Sequence, residues 1–164
     1  MTYFQSAREE EQNFPITSFR GEYRFLSNFY QFAFTWAGLR WSTSEHAYQA
    51  AKTGPENLKI RHAEFEKLTP GQVKRAGRDL KLYDGWEQSK IGIMREILFC
   101  KFMCPVMWKM LDATGDRMLI EGNTWGDQFW GMTQIHDSFM GENHLGKLLM
   151  EVRDELRNSG GPWK

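Results

Sequence analysis

The sequence predicts a mainly α-helical fold with a minor β component, a short hairpin near the N-terminus and a few short strands, gathered in a single compact domain. Three observations carry that expectation. From Ser42 onward, segments of helical period recur with capping residues at their starts; the aromatic stretch before them turns at Ala37-Gly38; and 164 residues suffice for one domain with a sizeable core.

Taken in order, residues 1–15 read as a flexible N-terminus, 16–157 as the domain and 158–164 as a flexible tail carrying Gly160-Gly161-Pro162. Ile16 to Arg20 and Phe29 to Trp41 are aromatic and partly alternating, which with the Ala37-Gly38 turn suggests a hairpin. Ser42 to Lys52 reads as the first helix, with Ser42 at the N-cap and Glu45 at N3 of a capping box. Pro55 to Lys67 reads as a second helix. Thr69, Pro70 and Gln72 supply a cap, a proline at N1 and a capping-box partner for a third. Asp84-Gly85-Trp86-Glu87 opens a long fourth helix, whose apolar positions Ile91, Met94, Ile97, Leu98 and Phe102 keep helical spacing to about Met103. Pro105 to Leu111 follows as a fifth. Met118 to Glu121 reads as a short strand, Gly122 to Gly141 as a glycine-punctuated loop, and Glu142 to Leu156 as the last helix. A loop of that length inside a small domain points to function.

Composition narrows the function classes. Lys plus Arg equals Asp plus Glu at 21 each, so no global field attracts a polyanion and any nucleic-acid contact must be local. Aromatic residues reach 15%, a hint of a pocket that stacks planar rings. Cys100 and Cys104 lie one helical turn apart, a poor geometry for a disulfide and too few ligands for zinc, so reduced core thiols are expected. No signal-peptide layout or membrane-length apolar run occurs, and a cytoplasmic protein is expected.

Four stretches hold polar groups that packing explains poorly. At about 100° per residue, Glu45, Tyr48, Gln49 and Lys52 share one helical stripe, with the carboxylate and the amine roughly 10 Å apart. The Ser27-Asn28 pair sits among aromatics, where Asn28 either caps a turn or meets a ligand. Lys74-Arg75-Ala76-Gly77-Arg78-Asp79-Leu80-Lys81 is a basic cluster, either a solvated helix end or a phosphate site. In Asn123 to Gly131, Asp127 lies between two Trp-Gly pairs, where glycine admits close backbone approach and Trp130 can stack on a base. His136-Asp137 resembles half of a metal-dependent phosphohydrolase motif but lacks its partners, and neither metal nor cofactor is expected.

The ordered set Leu26-Ser27-Asn28-Phe29, Glu45-His46-Ala47-Tyr48-Gln49-Ala50-Ala51-Lys52, Ala76-Gly77-Arg78, Lys101-Phe102, Thr114-Gly115-Asp116, Glu121, Asp127, Trp130-Gly131 and Gly141 to Met150 resembles the NADAR (YbiA-like) domain family from about Phe19 to Leu156. That resemblance implies a small, mostly helical domain with N-glycosidase-type activity. It implies a substrate that is either a ribosylamine intermediate of riboflavin synthesis or ADP-ribose on guanine, in the latter case carried on ADP-ribosylated nucleic acid. It implies Glu45, Lys52 and Asp127 as catalytic residues, with Asn28, Tyr48, Arg78, Trp130 and Gly131 binding substrate. The chain is expected to act as a monomer away from membranes. In one departure, Thr133 stands where family members commonly carry a second glycine, so the loop is expected to be tighter or differently shaped.

Cleaving a bond between an anomeric carbon and nitrogen requires negative charge beside an oxocarbenium-like centre, water, and a proton for the departing amine. Two routes stay open on these residues. Glu45 and Asp127 can divide the base and stabiliser roles, or a neutral Lys52 can take the sugar carbon as a Schiff base. Two rival functions use the same residues. One is a non-catalytic ADP-ribose or nucleotide-binding module, which has no reason to bury ionisable groups together; the other is a nucleic-acid adaptor working through Lys74 to Lys81, which neutral net charge disfavours.

Overall fold

Both residues of the Ala37-Gly38 turn have positive φ, 50° and 73°. That backbone suits the twist of a tight hairpin, and it joins β1 (Phe34–Trp36) to β2 (Leu39–Trp41) with Phe34 opposite Trp41. The structure, a computed structural model, describes residues 14–162. Its contacts divide the chain into two units: Asn28–Cys104, and the segments up to Ser27 and from Pro105 onward. Most of the expected residue 1–15 arm lies outside the described residues.

In the Asn28–Cys104 unit the hairpin is followed by α1 (Ser44–Ala51), in which every residue is buried. The cap of α1 differs from the sequence expectation. Thr43, not Ser42, is the N-cap, and its hydroxyl accepts the backbone N–H of His46. Glu45 therefore stands at N2, one place before the capping-box position. The shift has a physical reason: the His46 ring sits on the Thr43 hydroxyl at 2.7 Å through Nδ1 and on the Leu68 carbonyl at 2.9 Å through Nε2. Both ring nitrogens of this buried histidine are thereby satisfied, and Thr43 is fixed as the cap.

The second predicted helix divides into a 3-10 turn at Pro55–Asn57 and α2 (Leu58–Phe65), since Gly54 enters at φ 89° and the chain must tighten before it can wind as an α-helix. α3 (Pro70–Ala76) carries the complete Thr69–Gln72 capping box with Pro70 in its first turn. α4 (Trp86–Phe102) buries Met94, Ile97, Leu98 and Phe102 along its inner face. α1 packs against α2, α3 and α4, and β1 packs against α4, so α1 is the centre of this unit. Cys100 and Cys104 are free and only half-buried, more exposed than core thiols would be.

In the other unit, α5 (Pro105–Asp112) packs against α6 (His144–Asn158) and against a 3-10 turn at Gly21–Leu26. Arg157 ties the helices together, donating to Asp112 at 2.6 Å and Asp116 at 2.7 Å. The strand expected over Met118 to Glu121 is reduced to one parallel bridge between Ile16 and Leu119. The segment expected to be loop is partly a sheet: β3 (Gly122–Asn123) lies parallel to β4 (Met132–Ile135), which pairs antiparallel with β5 (Ser138–Met140). These strands are two to four residues long, too short for their alternation to show in the sequence. His136, at φ 53°, and Asp137 are exposed and simply turn the chain between β4 and β5. Among the described residues no helix is long and apolar enough to cross a membrane.

Candidate active site

The expected stripe on α1 is present, and its groups are joined. Gln49 Nε2 donates to Glu45 Oε1 at 2.8 Å, with the carboxylate 5% and the amide 5% exposed. Burying a carboxylate is costly unless it is hydrogen-bonded, and one turn of helix places the amide where it meets that need. The N-terminal position of Glu45 adds to this, because the helix dipole favours negative charge there. The backbone N–H of Glu45 donates to the Asn28 carbonyl at 3.0 Å, so the loop carrying Asn28 is bound to the start of α1.

Lys52 closes α1 as its C-cap and donates from Nζ to the Gly77 carbonyl at 3.1 Å. Its pKa lies below the ordinary lysine value. Burial is the main cause; the Glu45 charge opposes it, and the cations of Lys74 and Arg78 reinforce it. The basic cluster thus reaches Lys52 electrically, although Arg78 itself is exposed. Lys74, half-buried in the last turn of α3, also lies over the Phe29 ring at 5.7 Å.

Asn28 is buried, and its side-chain amide donates to Met94 Sδ at 3.6 Å. Tyr48 is buried against Trp86, with ring centroids 5.2 Å apart. Sequence reasoning read Trp86 only as part of a helix start; its place beside Tyr48 was not visible in the spacing of α4. Gln49 was seen on the stripe but given no role, although a carboxamide one turn after a buried carboxylate is a signal that could have found it. Lys101, quoted only within the motif set, was likewise given no role. It is fully buried, its ammonium 5.8 Å from the Tyr30 centroid and 5.1 Å from that of Phe102, and burial brings its pKa down to about 7.

Asp127, Trp130 and Gly131 belong to the other unit, in a segment organised by Asn123. The buried Asn123 side chain donates to the Asp127 carbonyl at 2.7 Å and accepts from the backbone N–H groups of Gly126 and Asp127 at 3.1 Å each. Asp127 Oδ1 accepts the Trp130 N–H at 3.0 Å. The Trp130 ring meets Phe129 edge-on with centroids 5.1 Å apart. Gly131 is needed for space, because a Cβ there would stand 2.3 Å from the Glu121 carbonyl oxygen. Thr133 lies within β4 and its hydroxyl donates to Asn123 Oδ1 at 3.3 Å, which joins this strand to the Asn123 network. Among the described residues no group of three or more His, Cys, Asp or Glu side chains could hold a metal ion.

Comparison with known proteins agrees with this arrangement of elements. The NADAR domain model matches residues 14–157. The chain is 37% identical over 147 residues to the N-glycosidase YbiA of Escherichia coli, covering 88% of this chain and 87% of that protein. It is 36% identical over 140 residues to an N-glycosidase of Nostoc punctiforme, covering 83% and 87%. A riboflavin biosynthesis protein of Vibrio vulnificus is 34% identical over 137 residues, 81% of this chain but 35% of that longer protein. The NMR structure of Escherichia coli YbiA superimposes with a TM-score of 0.75 at 32% identity, covering 90% of this chain and 88% of that one. The chain belongs to the NADAR domain family.

Proposed function

We propose that this protein is an N-glycosidase that hydrolyses the bond between a ribose anomeric carbon and an exocyclic amine, with Glu45 and Lys52 as its central catalytic groups. The observation that carries this reading is the α1 stripe: a buried, hydrogen-bonded carboxylate and an amine of lowered pKa on one helix, beside the Tyr48–Trp86 ring pair. An amine whose proton affinity is shifted by burial and by specific nearby charges is a candidate for catalysis.

Lys52 supports the covalent route. With the ribose ring open, C1 is bound to the departing amine as an iminium; the neutral Lys52 amine adds to C1, the bond to the departing amine breaks, and that amine leaves with a proton. Water then adds to the lysine Schiff base, releasing the free sugar and restoring the amine. Glu45 serves as the base that passes protons between Lys52, the leaving amine and water. In the direct route, Glu45 instead activates water while Lys52 acts through its charge. Asp127 and Trp130 enter this reading by the family resemblance, Asp127 as a second carboxylate and Trp130 as a stacking surface, with Asn28 orienting the sugar.

The cations of Lys74 and Arg78, close enough to act on Lys52, support a phosphorylated sugar. Two substrates fit that chemistry, ADP-ribose on the exocyclic amine of guanine and a phosphorylated ribosylamine of riboflavin synthesis. The relatives named as N-glycosidases and as a riboflavin biosynthesis protein support the reaction class. The test is a side-by-side assay of release of free sugar from guanosine carrying ADP-ribose and from a riboflavin-pathway ribosylamine. Turnover of either supports the reading. Tight binding of ADP-ribose with no release from either substrate would replace it with the binding-module function.

A further inference from the structure

We propose that Gly77 is a positioning residue for both catalytic groups: its bare Cα seats the Gln49 amide against Glu45, and its carbonyl holds the Lys52 amine. The inference rests on the reading that Glu45 and Lys52 carry the chemistry, and it explains how they are held.

Glycine just past a helix usually meets a need for left-handed backbone. Here it does not. Gly77 follows α3 with φ −64° and ψ −14°, a conformation open to any L-residue, so conformational freedom gives no reason for glycine. Space does. A Cβ at position 77 would lie 1.8 Å from Gln49 Oε1, 2.6 Å from Cδ and 3.1 Å from Cγ. The collision is with the end of one side chain rather than with backbone, so the fold can survive a methyl group there. The amide cannot stay where it is.

Gln49 has one productive orientation at this place. An ionised carboxylate only accepts, so the amide must present its N–H to Glu45, which leaves its oxygen against Gly77. At 5% exposure, Gln49 has little room to retreat. On the other side of the same residue, the Gly77 carbonyl accepts from Lys52 Nζ. One backbone position therefore sets the place of the carboxylate through Gln49 and of the amine directly.

The test is a double-mutant cycle on the substrate that the side-by-side assay finds cleaved faster. Gly77→Ala lowers kcat about 10- to 100-fold with KM changed little, the size of effect that displacement of a catalytic group by about 1 Å produces. Gln49→Ala lowers kcat to a similar extent. The Gly77→Ala/Gln49→Ala protein is no slower than Gln49→Ala alone, because the methyl then enters vacated space, and all three keep a cooperative thermal transition. Losses that multiply in the double variant, or a Gly77→Ala enzyme of full activity, overturn the proposal. A second measurement does not depend on turnover: in a 15N spectrum the Gln49 side-chain amide resonances move on Gly77→Ala and on Glu45→Ala. Unmoved resonances overturn the seating of Gln49 even if Glu45 and Lys52 prove essential. Full rates in Glu45→Gln and Lys52→Ala instead remove the catalytic reading, whatever the resonances do.

Discussion

On α1 the polar side chains are held by one another and by buried neighbours: Gln49 by Glu45, Lys52 by the Gly77 carbonyl, His46 between Thr43 and Leu68. In the segment from Asn123 to Thr133 the side-chain oxygens of Asn123 and Asp127 instead accept main-chain N–H groups within a few residues of themselves. The first arrangement fixes ionisable groups on a rigid helix, where burial lowers the pKa of His46 and Lys52. The second fixes the path of a chain, and the carboxylate it contains is partly occupied in capping. The contrast teaches that carboxylates of equal promise in sequence, Glu45 and Asp127, have different local duties.

The largest effect is expected at the helix. Glu45→Gln and Lys52→Ala each lower the rate of sugar release about 10³-fold or more, within the range for loss of a general base or a nucleophile, and steady-state kinetics reads it. The loop is tested next by Asp127→Asn. The new side chain keeps an oxygen for the Trp130 N–H but loses the charge, so a drop of about 100-fold with an unchanged melting temperature assigns a catalytic share to the carboxylate. Wild-type rates would make Asp127 a cap alone. Asn123→Ala carries the smaller, thermodynamic half of the contrast. It leaves the Gly126 and Asp127 N–H groups without their acceptor and lowers stability by about 1–3 kcal/mol in a denaturant titration.

The remaining test lies outside both regions, at Lys101, and is one of pH. Its folded pKa of about 7 lies below the 10.5 of a free lysine, so between these values the unfolded chain holds a proton that the folded chain lacks. Stability contributed through this group therefore rises as pH increases from about 7 toward 10.5 and is flat below. Melting curves of Lys101→Met across that range should lose the slope.

Much of the helical architecture was legible because its signals are local. Thr69, Pro70 and Gln72 specify the start of α3 within four residues, and Gly38, which takes positive φ without cost, marks the hairpin turn. The start of α1 was misplaced by one residue because Ser42 and Thr43 are equally good caps in sequence. What decides between them is the contact of His46 with Leu68, 22 residues away. The sheet from Gly122 to Met140 was missed for a related reason. β3 and β4 pair in parallel across an intervening segment, and two- to four-residue strands leave too short a pattern for periodicity to register. In the site, the α1 stripe could be read from helical spacing, whereas Trp86, Lys101 and the place of Gly77 depend on tertiary packing that no local spacing reports.

The hydrogen bond from the Glu45 amide to the Asn28 carbonyl has a mechanical consequence. It gears the loop to the helix: a ligand that draws Asn28 toward itself pulls on the amino end of α1, and with it the acid. On the proposed reading, in which Asn28 orients the sugar, recognition of the sugar and alignment of the acid are one movement rather than two.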